Sequence, residues 1–133
     1  MDTSTLLAAL HRRISSRRSP LDRAWAWAHV AQVVALTDLL ASPSAVPTAA
    51  CWVEPRMAWA MDDLAYAGAD TAPLPVPAIA TRDIDEVLRT VLRRLIDAAS
   101  IPSPHATDAQ AAACAQAAKR ARAALRDYAS SMR

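Results

Sequence analysis

The chain has 133 residues, a formal net charge of +2 and a hydrophobic fraction of 53%, much of it Ala, with no Phe at all. A length of this order suits one domain that buries a core without disulfide or metal staples, and so small a charge neither demands nucleic acid nor rules it out. One Gly and nine Pro, the Pro grouped in a few places, exclude an all-β fold and a glycine-rich phosphate loop and predict long helices joined by stiff connectors.

The longest apolar stretch, residues 24–41, is interrupted by His29, Gln32 and Asp38, so it does not read as a membrane span. Met1-Asp2-Thr3-Ser4 lacks the basic region of a secretory leader. Cys51 and Cys114 stand far apart without C-x-x-C spacing, which predicts reduced thiols in a cytoplasmic protein, a single disulfide between them being the alternative. Lys119 is the sole Lys among 15 basic residues, and the Ala and Arg usage resembles that of GC-rich bacterial genomes.

The first predicted helix covers residues 5–17, with Leu6, Leu7, Leu10 and Ile14 on one side and His11, Arg12, Arg13, Arg17 and Arg18 on the other. Ser19-Pro20 opens the second, 20–41, with Ser as N-cap and Pro in the first turn. That helix is apolar nearly all round and reads as central. Ala24, Ala28, Ala31 and Ala35 form a small-residue ridge along it, and Ser42-Pro43-Ser44 breaks it. Residues 45–53 read as a short or irregular helical segment between Pro47 and Pro55.

A third main helix is expected from Pro55 to residue 67, with Met57, Ala60, Met61 and Leu64 inward and Gly68 as left-handed C-cap. The X-Pro repeats at Pro73, Pro75 and Pro77 make residues 69–80 an extended connector. The clearest helix, 82–99, repeats Ile84, Val87, Leu88, Val91, Leu92, Leu95 and Ile96 in a buried stripe, with Thr81 or Asp83 to cap it and Asp85 paired to Arg89. Thr107 and Gln110 form a capping box for a last helix, 108–130, whose expected seam is Ala111, Cys114, Ala118, Ala121, Leu125, Tyr128 and Met132. Its small residues predict close packing on the Ala ridge of the second helix.

Three candidate sites emerge. His29 and Gln32 share a helix face with Trp25, which is either a ligand pocket or a buried histidine bonded to a neighbouring helix. If the protein is an enzyme, His29 is the residue on which catalysis would rest. Trp59 and Tyr66 with Asp62 and Asp63 suggest a half-exposed aromatic patch rimmed by acid; the two adjacent Asp diverge by about 100° and make a poor catalytic pair. Arg12, Arg13, Arg17 and Arg18 form a basic patch. Ligand spacing for a metal is missing, and no cofactor is expected.

The whole reads as a single all-α domain, a bundle of four main helices plus the irregular segment. It is expected to act as an interaction or regulatory module, binding a protein partner or itself. The alternatives are a small-molecule receptor or small enzyme around Trp25, His29 and Gln32, and, more weakly, nucleic-acid binding through the basic first helix.

Overall fold

A computed structural model describes residues 2–41, 50–101 and 103–131 and consists of five helices: α1 (Thr3–Ser15), α2 (Pro20–Ala41), α3 (Ala50–Tyr66), α4 (Ile84–Ala99) and α5 (Asp108–Ser131). No strand occurs among the described residues, and none of their helices is long and apolar enough to cross a membrane. The expected breaks at Ser42-Pro43-Ser44 and Pro47, and Met132 of the expected seam, lie outside the described residues.

Most helix ends follow their local chemistry. The Ser19 hydroxyl accepts from the Asp22 amide at 3.1 Å at the start of α2. The α5 capping box is reciprocal: the Gln110 amide donates to Thr107 Oγ1 and the Thr107 amide to Gln110 Oε1, each at 3.1 Å. Gly68, at φ 102°, closes α3 in a Schellman arrangement, its amide bonded to the Ala65 carbonyl and that of Ala69 to Leu64.

Three expectations are corrected. The first helix begins at Thr3, because the Asp2 carboxylate caps it through the Thr5 amide at 2.7 Å. Neither Thr81 nor Asp83 caps α4 with its side chain, since a 3₁₀ turn at Thr81–Asp83 runs directly into the helix. The third helix does not start at Pro55 but passes through it from Ala50. The missing Pro55 N–H removes one bond, to the Cys51 carbonyl, near the helix start. In exchange Val53 joins Met57, Ala60 and Leu64 in the core, while Met61 stays half-buried.

Helix order around the bundle follows from the connector. The twelve residues 69–80 in extended geometry span up to about 37 Å. The 22-residue α2 is about 33 Å long, so the chain can travel the length of the bundle before α4 begins. Accordingly α2 packs on α3 and α4, α5 packs on the same two helices, and α2 and α5 touch only sparsely across the diagonal. The predicted close packing of α2 against α5 is therefore wrong. Ala24, Ala28, Ala31 and Ala35 are all fully buried, but chiefly within the contacts that α2 makes with its lateral neighbours.

The seam of α5 is also turned from the expected one. Ala113, Ala117, Ala118, Ala121, Ala124 and Tyr128 are buried, whereas Ala111 is exposed and Cys114 and Leu125 are half-buried. The α4 stripe is buried as read from Ile84 to Leu95, with Ile96 half-buried. Leu6, Leu10 and Ile14 of α1 join the same core.

Candidate functional site

Trp25 and Trp27 of α2 are both buried. His11 of α1 lies 6.4 Å from Trp27 between ring centroids, and the connector latches alongside. Arg17, from the basic patch, has a side chain only 10% exposed. Its guanidinium donates to the carbonyls of Asp70, at 3.2 Å, and Ala72, and lies 3.7 Å from the Asp70 carboxylate. Asp22 accepts from the Asp70 amide at 2.8 Å. Arg12, Arg13 and Arg18 are exposed.

His29 belongs to this latch. Its ring stacks on Trp25 at 5.2 Å with an interplanar angle of 9°, and it bonds to the backbone of Leu74 in the connector. Burial pushes the imidazole below its ordinary pKa, the Leu74 bond opposes that shift, and nearby Arg17 adds to it. The partner is thus the connector, not a neighbouring helix. Gln32 turns elsewhere, donating to Glu54 of α3 at 3.3 Å. None of Trp25, His29 and Gln32 lines the cavity that opens near the end of α4.

The outer groove between α3 and α5 has a different character. Trp52, Trp59 and Tyr66 are 50%, 55% and 97% exposed and recur every seven residues, so they lie in one row along α3. Arg56 and Asp63 sit beside that row and are tied to α5, Arg56 to Asp127 at 2.6 Å and Asp63 to Arg120 at 3.1 Å. The Arg120 guanidinium also lies 5.5 Å from the Trp59 ring centroid. Arg56 Nη1 and Arg120 Nε are buried without a hydrogen-bond partner among the described residues. Asp62, on the far side of the row, is exposed. The row thus holds Trp59 and Tyr66 with Asp63 beside it, Tyr66 being more exposed than the half-exposed patch read from the sequence, and it takes in Trp52, which a helix start at Pro55 leaves outside.

Two further features have no single sequence signal. Tyr128 of α5 donates to Asp85, and burial, this bond and the nearby Asp85 and Asp38 charges raise its pKa. Arg89 lies over the ring at 5.3 Å and pairs with Asp85 at 3.0 Å. At the opposite end of α4 lies a cavity of about 560 Å³, bounded by Ser19, Pro20 and Leu21, by Ala99, Ser100, Ile101, Ser103, His105 and Ala106, and by one face of α5. Cys114 lines it, and burial raises its thiol pKa. Cys51 and Cys114 are both free thiols.

Together these features define an all-α bundle with one latched flank, one aromatic groove and one end cavity. No protein-family model, curated protein or solved structure matches the chain.

Proposed function

We propose that the protein works by binding, as a self-associating interaction module whose contact surface is the outer face of α3. The observation that carries this reading is the row of Trp52, Trp59 and Tyr66, large aromatics left in water at helical register. Aromatic rings at such positions are the usual anchors of protein interfaces.

The arrangement of the row favours a second copy as occupant. In an antiparallel pair centred on Trp59, Trp52 of one copy stands opposite Tyr66 of the other. The heights of Arg56 and Asp63, at about 1.5 Å per residue, bring each Arg56 level with the other copy's Asp63 to within about one residue. Both charges are already paired within their own chain, so they extend existing networks instead of entering the interface unpaired. The row is only about 21 Å long, so the dimer should be reversible.

Sedimentation velocity over a concentration series tests this reading. The parent should shift from monomer to dimer, and Trp59→Arg should remain monomeric with unchanged helicity. A parent that stays monomeric throughout, or a dimer that survives both Trp59→Arg and Tyr66→Asp, would overturn it.

A further inference from the structure

We propose that the cavity at the end of α4 is a binding site for a monocarboxylate with a compact apolar body, an acyl or aryl acid. This goes beyond self-association and does not depend on it. The volume of about 560 Å³ falls in the range of small-ligand pockets. On its α5 wall Ala111, Cys114, Ala115 and Ala118 make a strip of small side chains about 10 Å long, with Gln110 at one end and Arg122 at the other. These small side chains leave room beside the helix, and the lining as a whole is more apolar than polar. Ile101, also lining it, is half exposed.

The polar groups select the head group. Ser19, Ser100 and Gln110 are committed to helix ends: Ser19 caps α2, the Ser100 hydroxyl donates to the Ile96 carbonyl, and Gln110 completes the α5 capping box. Arg122, His105 and Ser103 have no such commitment; among the described residues none of the three makes an ion pair or hydrogen bond through its side chain, and only Arg122 brings a fixed charge. The lining holds no Asp or Glu. A cation would meet the Arg122 charge with nothing to offset it, and a polyanion would find one guanidinium where it needs several. A single carboxylate suits the planar guanidinium fork, with His105 available as a second donor.

Isothermal titration of the full chain with decanoate, 1-decanol and decylamine, below micellar concentrations, tests the proposal. Decanoate should bind saturably and more tightly than decanol, and decylamine should not bind. Arg122→Gln should weaken decanoate by about tenfold, the scale of one lost charged hydrogen bond, and leave decanol unchanged. Ala115→Leu and Ala111→Leu fill the cavity from exposed positions and should each abolish binding of both. In a Cys51→Ser background, decanoate should also slow alkylation of Cys114. No saturable decanoate binding by the parent, decanoate affinity unchanged by Arg122→Gln, or binding unchanged in both filled variants would each overturn the site.

Discussion

α2 and α3 each carry two Trp, and the two pairs meet opposite fates. Trp25 and Trp27 are buried, Trp27 beside His11 of α1 and Trp25 stacked on His29 next to the connector, while Trp52 and Trp59 are about half exposed. The residues are the same; what differs is whether the chain supplies a cover. On α2 the cover comes from the same chain and is fastened by Arg17, Asp22 and His29. On α3 the described chain offers only the α5 edge, and the remaining face is the one assigned above to a second copy.

Truncation is the most forceful way to break this comparison. Trp27→Ala should cost about 3–5 kcal/mol of unfolding free energy, as for other fully packed aromatics. Trp52→Ala should change monomer stability by less than about 1 kcal/mol while weakening association. Denaturant unfolding of the two variants, read by circular dichroism at dilutions that keep both monomeric, measures the difference. Similar losses would mean that Trp52 is as structurally committed as Trp27.

The latch itself can be opened at Arg17. Arg17→Ala removes two charge-assisted bonds to the connector carbonyls from a largely buried side chain and should cost roughly 1.5–3 kcal/mol. Trp25 emission should shift to the red, and proteolysis within residues 69–80 should accelerate. An unchanged emission spectrum would show that the connector stays in place without its guanidinium.

The smallest effect concerns His29. Its pKa is depressed in the folded chain, so the unfolded chain binds the proton more readily. The neutral ring's contribution is complete above the ordinary histidine range, near pH 6.5, and is lost as pH falls through that range toward the depressed folded value. Stability should therefore fall more steeply in the parent than in His29→Gln as pH drops below about 6.5. Parallel pH profiles for the two proteins would place His29 outside the latch.

How much of this was legible in the sequence depends on how local each cause is. The start of α2, the α5 capping box, the Gly68 turn and the extended connector each rest on a few adjacent residues, and all are found where the chemistry puts them. The start of α3 was misread because Pro55 is a strong local signal, while the burial of Val53 that outweighs it is tertiary. Helix pairing could not be read from Ala, since Ala-rich ridges fit several neighbours equally well. The aromatic row was half visible, as Trp59 and Tyr66, until the longer helix added Trp52. The cavity had no local signature, because its walls come from three stretches separated in the chain.

Gln110 has a consequence for how the molecule loosens. Beyond its capping role, its Nε2 donates at 3.3 Å to the carbonyl of Ala67, 43 residues away, where α3 ends. One amide thus serves the first turn of α5 and the last turn of α3, and an opening that breaks either strips a bond from the other. In amide hydrogen exchange those two turns should behave as one cooperative unit despite their separation in the chain, with the Gly68 turn exchanging in step with the Thr107 cap.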